Sequence, residues 1–323
     1  MGRLAVLAEF GYRKDPFRGV HMETSDVSRV KRIVGMAVES HAMVSIVAMR
    51  GQGKTRAVDS ILREMEVKEI RLFTSDKEKV LVGDIERALI TDLSEEPVRR
   101  TREIRARQLR RIVGEASRRQ EVVLVLEEAH RLHGQTLRSL KTMRELDWMG
   151  QNPLFTIIMI GQSNPMGKPG VDEVRLRTDT IEMKGMTAAE VKRYVWETVG
   201  KSFEPDAVEA LSRLKDSRNF LDLQEMVINL MNKAMAYGRK KVEAFDVFEL
   251  YCGGLKELIR KENISQGELA EEVKIPKSTL NLILNDKADR LTDETVANAR
   301  EAIADVIRKR KGIEPAERMV GVG

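Results

Sequence analysis

One stretch, residues 44–65, constrains the fold of this chain more than any other. An apolar run from Val44 to Ala48 leads into a turn with two glycines, MRGQGKT, and a helical pattern follows to about Met65. A buried strand that passes through a tight glycine turn into a helix is the repeating unit of parallel α/β sheets. The same alternation continues downstream: strands are predicted at 70–73, 122–126 and 155–160, and helices at 27–39, 80–93, 98–118 and up to 146. The sequence therefore predicts an α/β fold with a parallel sheet that helices cover on both faces.

The glycine turn fits the pattern G-x-x-x-x-G-K-[ST], with Ala48 in the place of the first glycine. Gly51 and Gly53 let backbone N–H groups turn inward around phosphate oxygens, and the N-terminus of the following helix adds positive partial charge. We expect Lys54 to reach the β- and γ-phosphates of ATP and the Thr55 hydroxyl to ligate Mg²⁺. A chance glycine-rich turn is the alternative, which the strand–loop–helix context disfavours. The predicted ATP-binding set is Arg50, Gly51, Gln52, Gly53, Lys54, Thr55 and Arg56.

Two carboxylates, Glu127 and Glu128, come directly after the apolar run at 122–126. Ligands of doubly wound sheets bind at the carboxyl ends of the strands. If this strand lies next to the strand before the glycine turn, its acids face the Mg²⁺ and the attacking water. Glu127 is then the metal-binding acid, directly or through water, and Glu128 orients or deprotonates the water. Mg²⁺ and Lys54 are expected to relieve the repulsion between the two acids. A strand that ends in solvated surface acids is the alternative.

The strand predicted at 155–160 also ends in polar residues, GQSN. Gln162 and Asn164 are candidates to contact the γ-phosphate or the attacking water, as catalytic residues beside Lys54 and Glu128. The alternative is that Gln162 and Asn164 serve only to form the turn.

The organisation of the chain changes along its length. Residues 1–27 are predicted to be an irregular lead-in, and residues 28–186 the α/β domain. After Thr187 the strand pattern stops, and helices are predicted at 187–199, 204–214, 219–237 and 243–251. We therefore expect a helical domain at 187–252, a hinge at Gly253-Gly254 within the start of a second helical domain at 253–311, and a mobile tail at 312–323.

The second helical domain contains the stretch ISQGELAEEVKIPKSTLNLILND, which resembles the helix-turn-helix of λ-repressor-like DNA-binding proteins. Ser265 and Glu268 form the capping box S-x-x-E that opens the first helix. The polar residues left on the outer face are of kinds that bind phosphates and base edges, and a protein-binding face is the alternative. The apolar positions expected to be buried are Leu269, Ala270, Val273, Leu280, Ile283 and Leu284. The predicted DNA contacts are Gln266, Lys277, Ser278 and Asn281.

A second candidate DNA surface is the arginine-rich helix predicted at 98–118, which contains VRRTREIRARQLRRI. Repeated around an oligomer, its cations, with Arg102 and Arg105 among them, would form a positive stripe that neutralises phosphates with little sequence preference. A solvated helix face is the alternative. The net charge of +5 and the isoelectric point near 9.2 agree with a polyanionic partner, although solubility alone would also explain them.

The composition bears on the cellular compartment of the protein. A single cysteine excludes an internal disulfide framework and fits a reducing cytosol. The sequence contains no run of about 18 apolar residues that would span a membrane. We therefore expect a cytoplasmic protein without a membrane partner.

Four phrases in order, METSDVSRVKRIV, AMRGQGKT, LVLEEAHRL and IIMIGQSNPM, resemble the AAA+ ATPases, and within them the branch of the phage Mu transposition protein B. ExeA-type and TnsC/IstB-like ATPases are relatives of that branch. MTAAEVKRYV and AMAYGRKKV belong to the same pattern, so the resemblance covers roughly residues 15–250. It implies a P-loop AAA+ sheet with a helical lid, and ATP and Mg²⁺ bound between the subunits of a homo-oligomer. The oligomer would be a ring or a helical filament on double-stranded DNA. The resemblance also implies slow ATP hydrolysis and the delivery of target DNA to a transposase or integrase-like partner.

The resemblance implies further site residues and shows two departures. Arg175 or Arg177 would reach into the active site of the neighbouring subunit, with a solvated charged turn as the alternative. Arg218 would act as the second sensor, although SRNF replaces the usual Pro-Arg pair there, and Glu127 stands where aspartate is usual. The alternative functions are a replication initiator or helicase loader of the same class, and a DNA-binding regulator that binds ATP without hydrolysing it.

Overall fold

The computed structural model describes residues 1–72, 80–251, 256, 259–260, 263–285 and 291–311. The chain forms two compact units, one of residues 23–185 and one that joins residues 1–22 to residues 186–323. We call them the α/β unit and the helical unit. The predicted hinge at Gly253-Gly254 and the predicted tail at 312–323 lie outside the described residues, and the predicted domain boundaries stay predictions.

The α/β unit is built on one sheet of five strands in the order β2-β3-β4-β1-β5. Every pairing between neighbouring strands is parallel, which confirms the predicted parallel sheet. The strands are β1 Met43–Val47, β2 Lys68–Leu72, β3 Val122–Leu126, β4 Thr156–Gly161 and β5 Thr178–Glu182.

The α-helices are numbered along the whole chain. Helices α2 to α7 belong to the α/β unit, and α1 and α8 to α14 belong to the helical unit. None of the described helices is both long and apolar enough to cross a membrane. In order, the helices are α1 Arg3–Glu9, α2 Ser25–Glu39, α3 Lys54–Glu64, α4 Val82–Leu93, α5 Arg102–Ser117, α6 Gly134–Arg144, α7 Asp172–Arg175, α8 Ala188–Val199, α9 Pro205–Ser212, α10 Phe220–Ala236, α11 Ala244–Tyr251, α12 Gln266–Val273, α13 Lys277–Leu284 and α14 Asp293–Lys311.

Both faces of the sheet are buried. Side chains alternate between the faces along each strand, so each strand contributes residues to two cores. In β3, Val122, Leu124 and Leu126 belong to the core on one face. Val123 and Val125 belong to the core on the other face. Helices α4, α5 and α6 pack on the first face, and α2 and α3 on the second. The five apolar residues in a row are therefore the sign of a strand that is covered on two sides.

Two elements differ from the sequence prediction. The lead-in predicted to be irregular contains α1, whose Val6 and Leu7 are buried in the helical unit. Seven residues are too short a window for helical periodicity to stand out. The sequence also gives no sign of β5, TDTIE, because this edge strand buries only Ile181 and its other positions are polar.

The helical unit holds two cores. Helices α1 and α8 to α11 surround the first, which contains Val195, Leu211 and Leu223. Helices α12, α13 and α14 surround the second, which contains Leu280 and Ile303.

Helices α12 and α13 form the helix pair that the sequence predicts at 264–286. Ser265 Oγ accepts a hydrogen bond from the Glu268 N–H at 3.2 Å, and the Glu268 carboxylate accepts one from the Ser265 N–H at 3.2 Å. The predicted capping box is therefore confirmed. Lys274, at a turn position where glycine is common, has a left-handed φ of 57°. Pro276 is the N-cap of α13.

Candidate functional site

The loop between β1 and α3 has the shape that a phosphate-binding turn requires. Gly51 and Gly53 have φ angles of 91° and 80°, a left-handed conformation that glycine adopts without strain. Gly53 is also the N-cap of α3, and its position offers no side chain to cap the helix. The Ala48 N–H fixes the start of the loop by donating to the Gly161 carbonyl at 3.1 Å. Backbone N–H groups at this helix N-terminus are thus left for an anion.

The first turn of α3 carries the ammonium and hydroxyl groups predicted for ATP and Mg²⁺. Lys54 is only 9% exposed, yet it forms no ion pair with any residue that the structure describes. A buried ammonium group is costly unless an anion binds to it. Thr55 Oγ1 lies 3.4 Å from Glu127 Oε2. Lys54 therefore fits a triphosphate, and the Thr55–Glu127 pair fits Mg²⁺, which takes oxygen ligands from protein and phosphates.

Glu127 is held by an arginine that the sequence analysis does not single out. Arg71 Nη1 lies 2.6 Å from Glu127 Oε1, and Arg71 Nη2 lies 2.5 Å from Asp59 Oδ1. Glu69 is a third acidic partner of Arg71. Burial raises the pKa of Glu127, and the charge of Arg71 offsets part of this effect. Arg71, rather than the expected Lys54, is the cation that pairs with Glu127.

The strand that carries the acids is not the neighbour of the strand before the glycine loop. Strand β4 lies between β1 and β3, so the expected adjacency of β1 and β3 is wrong. Because Thr55 follows β1 and still reaches Glu127, the loop and the start of α3 must cross the carboxyl end of β4. The structure thus brings the glycine loop and Glu127 together across the end of β4, and not through adjacent strands.

Glu128 and Gln162 meet at the carboxyl ends of β3 and β4. Gln162 Nε2 lies 3.3 Å from Glu128 Oε2. Glu128 has a φ of 50°, a conformation that is strained for a residue with a side chain and that clusters at functional sites. The Asn164 side chain accepts a hydrogen bond from the Met166 N–H at 2.9 Å. Asn164 therefore shapes the turn, which agrees with the alternative interpretation of this residue.

His130 is a second residue near the acids that the sequence analysis does not single out. Its Nδ1 accepts a hydrogen bond from the Gln162 backbone N–H at 3.3 Å, and its Nε2 lies 3.7 Å from Glu128 Oε2. Burial lowers the pKa of His130. The signal in the sequence is its position two residues after Glu128, in the phrase EEAHRL.

Three other predicted residues of the loop lie around its rim. Arg50 and Arg56 are exposed, and Gln52 is half-buried. The Gln52 side chain accepts a hydrogen bond from the Met49 N–H at 2.8 Å. Gln52 therefore helps to hold the loop closed.

The arginines predicted for a neighbouring subunit or for the second sensor lie on surfaces. Arg175 forms an exposed ion pair with Asp172, and Arg177 pairs with Glu145 at 2.8 Å. Arg218 belongs to the helical unit, where it is exposed at the end of a short 3₁₀ turn.

The residues predicted to contact DNA differ in their exposure and in the contacts that they already make within the chain. Arg102, at the start of α5, is exposed, whereas Arg105 is half-buried and pairs with Glu86 at 2.7 Å. On α12 and α13, Gln266 is half-buried, and Asn281 accepts hydrogen bonds from the Asn285 side chain at 2.7 Å. The exposed members of the set on these two helices are Lys277, Ser278 and Asn281.

Together the sheet, the glycine loop and the buried lysine have the arrangement of a P-loop fold. Residues 38–165 match a protein-family model described as AAA domain, and members of that family are typically ATPases. No curated protein sequence matches the chain.

Solved structures with this fold cover nearly the whole chain. Cdc6p from Pyrobaculum aerophilum is 15% identical with a TM-score of 0.51, over 97% of this chain and 86% of that one. The Aeropyrum pernix ORC2 protein, solved as ADPNP–ADP complexes, is 12% identical with a TM-score of 0.51, over 93% and 98%. Drosophila ORC bound to DNA is 12% identical with a TM-score of 0.50, over 98% and 80%. At such identities the likeness concerns the fold alone: this chain has the α/β P-loop fold of AAA+ proteins.

Proposed function

We propose that this chain is a DNA-binding AAA+ ATPase that assembles on double-stranded DNA when ATP is bound. The observation that carries the proposal is the meeting of Thr55 and Glu127 beside the buried Lys54. An ammonium group, a hydroxyl and a carboxylate at the N-terminus of one helix are the groups that a triphosphate with Mg²⁺ requires.

Each side chain of the site has one task in the proposed reaction. When bound, ATP with Mg²⁺ supplies the phosphoryl group that passes to water and the divalent charge that neutralises it. Lys54 binds the β- and γ-phosphates, and Thr55 and Glu127 hold the metal. Glu128 accepts the proton of the attacking water, and Gln162, whose amide lies 3.3 Å from the Glu128 carboxylate, orients that water.

Two substitutions separate ATP binding from ATP hydrolysis. Lys54→Ala should abolish nucleotide binding and with it the ATP-dependent assembly on duplex DNA, as measured by sedimentation. Glu128→Gln should bind ATP as the wild type does, while its turnover falls by about 100-fold because the general base is lost. Arg63→Ala, on the exposed face of the same helix α3, is the matched control and should change neither property.

Two outcomes would contradict these assignments. Assembly of the Lys54→Ala protein with ATP would refute the nucleotide site. Wild-type turnover by the Glu128→Gln protein would refute the role of Glu128. A wild-type protein that binds ATP but never hydrolyses it, with or without DNA, would instead be a regulator that uses ATP as a ligand.

The proposed assembly is a homo-oligomer, a ring or a filament, with ATP between subunits. Arg175 or Arg177 would complete the site of the neighbouring subunit. Their exposure supports this, because the ion pairs that Arg175 and Arg177 form with Asp172 and Glu145 are exposed and can be exchanged for other partners. The DNA contacts proposed are Arg102 in the α/β unit and Gln266, Lys277, Ser278 and Asn281 in the helical unit.

The proposed partner is a transposase or integrase-like protein, to which the assembly delivers target DNA. The resemblance of LVLEEAHRL and IIMIGQSNPM to the transposition branch supports this partner. A second candidate is a replication initiator or helicase loader, which the shared fold of Cdc6p and ORC proteins over most of the chain supports. An integrase-like reading frame beside the gene, and capture of its product by the ATP-bound protein, would favour transposition.

A further inference from the structure

The imidazole of His130 lies between the ends of two neighbouring strands, β3 and β4. Residues 129–131 form a 3₁₀ turn directly after the acids that follow β3. From this turn His130 Nδ1 accepts a hydrogen bond from the Gln162 backbone N–H, at the end of β4, at 3.3 Å. His130 Nε2 lies 3.7 Å from the Oε2 atom of Glu128. One nitrogen of the ring thus contacts the end of β4, and the other faces the acid that follows β3.

The contact with Gln162 fixes the tautomer of this ring. A backbone N–H can only donate, so Nδ1 must accept and carries no proton. In the neutral ring the proton is then on Nε2, the nitrogen that faces Glu128. Burial lowers the pKa of His130, which favours the neutral ring. His130 therefore points an N–H group at the carboxylate of Glu128.

The strand end leaves room for the turn that carries His130. A Cβ atom at Gly161 would lie 3.0 Å from the Ser163 carbonyl oxygen, 3.3 Å from the His130 backbone nitrogen and 3.5 Å from the His130 Cβ. Glycine at this position lets the turn after β3 approach the end of β4. The Gly161 carbonyl also accepts from the Ala48 N–H, so the same residue ties the glycine loop to this junction.

We propose that His130 is a positioning residue for Glu128: its Nε2–H aims the carboxylate at the attacking water and ties it to the end of β4. This inference rests on the proposed ATPase function. The present separation of 3.7 Å shortens to a hydrogen bond when the site closes on nucleotide, as catalytic hydrogen bonds commonly do. Glu128 then has two donors on one oxygen, His130 and the Gln162 side chain.

Two substitutions of His130 remove one nitrogen each. His130→Gln places an amide N–H near the position of Nε2, so it keeps a donor for Glu128. His130→Asn places an amide near the position of Nδ1, so it keeps a partner for Gln162 and loses the donor to Glu128. We expect kcat to fall by about ten-fold in the Asn variant and by less than about three-fold in the Gln variant. The KM for ATP should change by less than about two-fold in both, because neither nitrogen binds the phosphates.

The matched control is His133→Asn. His133 is exposed, and its side chain caps α6 by accepting from the Gln135 N–H, a role that asparagine can also fill. Its kcat should equal that of the wild type. A purely structural role for His130 would instead lower the thermal stability and the ATP affinity of both His130 variants alike, and that result would overturn the proposal.

A second measurement does not depend on activity. The chain has four histidines, so a long-range proton–nitrogen correlation spectrum of the nucleotide-free protein can be assigned by comparison with His130→Asn. We expect His130 as the Nε2–H tautomer, and the Nδ1–H tautomer would overturn the proposal. Absence of ATP hydrolysis in the wild type would refute the proposed function and leave this tautomer test standing. Hydrolysis with an unchanged kcat in His130→Asn would refute the positioning role alone.

Discussion

Arg71 stands at the centre of three carboxylates, those of Asp59, Glu69 and Glu127, with only 15% of its side chain exposed. Without their shared cation these acids would repel one another in a poorly solvated place. One guanidinium can serve several partners because its five N–H donors form a planar fork. Arg71 therefore stabilises the acid cluster from which the proposed metal site takes Glu127.

Replacing Arg71 should reveal this role in the nucleotide-free protein. Arg71→Gln should lower the free energy of unfolding by about 3 kcal/mol, because it leaves the buried carboxylate of Glu127 unpaired. Arg71→Lys should lose less free energy of unfolding, because it keeps the positive charge. It should remain below the wild type, because lysine cannot bind several acids at once. Arg107→Gln removes an exposed pair with Glu103 and should cost at most about 1 kcal/mol. Chemical denaturation checks the order, and an Arg71→Gln protein as stable as the wild type would contradict it.

Which site residues the sequence can predict depends on how local their pattern is. Lys54 and Thr55 are fixed by the spacing of one loop, and Glu127 and Glu128 by the end of one strand. Arg71 is 56 residues away from Glu127. The contact between them arises from the pairing of β2 with β3, which no local pattern specifies.

Among the structural elements, α5 is held by a close contact with Trp148, in the turn before β4. A Cβ atom at Gly114, in the last turn of α5, would lie 2.2 Å from Trp148 Cγ. Glycine usually weakens a helix interior. At this position the lack of a side chain is what allows the indole to pack against α5.

Two alanine substitutions should therefore have opposite effects. Gly114→Ala should destabilise the protein by about 1–3 kcal/mol, because the cost of overpacking exceeds the helix propensity gained. Gly35→Ala, in α2, has nothing within 4 Å of the new Cβ and should stabilise by about 0.5–1 kcal/mol. Thermal unfolding of both variants is the measurement. A stabilised Gly114→Ala protein would show that Trp148 can move away without cost.

An element can be predicted from sequence when its apolar and polar residues lie on separate faces. The four helices from α8 to α11 lie within two residues of their predicted bounds, because each buries a stripe at helical spacing. Strand β5 escapes prediction because it buries one side chain at the sheet edge. Short or one-sided elements take their structure from neighbours that are distant in sequence.

For the molecule as a whole, the sequence predicts a parallel α/β sheet followed by helices, and the structure has both. The order of the strands could not be predicted, because alternation of strands and helices fits several orders. The place of β4 between β1 and β3 depends on packing over the whole α/β unit.

The proposed binding to DNA can be tested through its dependence on salt. Arg102 is exposed at the start of α5, whereas Arg105 is already neutralised by Glu86. Arg102→Ala should reduce the slope of the logarithm of affinity against the logarithm of salt concentration by about one. Arg105→Ala should leave that slope unchanged. Fluorescence anisotropy with duplex DNA measures both, and equal slopes in the wild type and Arg102→Ala would remove α5 from the DNA surface.

The position of β1 between β4 and β5 has a consequence for how the chain is made. Its two partners, β4 and β5, are the last strands of the sheet to leave the ribosome. During synthesis the backbone groups on both edges of β1 therefore stay unpaired while more than half of the α/β unit is translated. Such long-range pairing is slow and exposes the nascent chain to aggregation. The segment around β1 is therefore where a nascent-chain chaperone would be needed most.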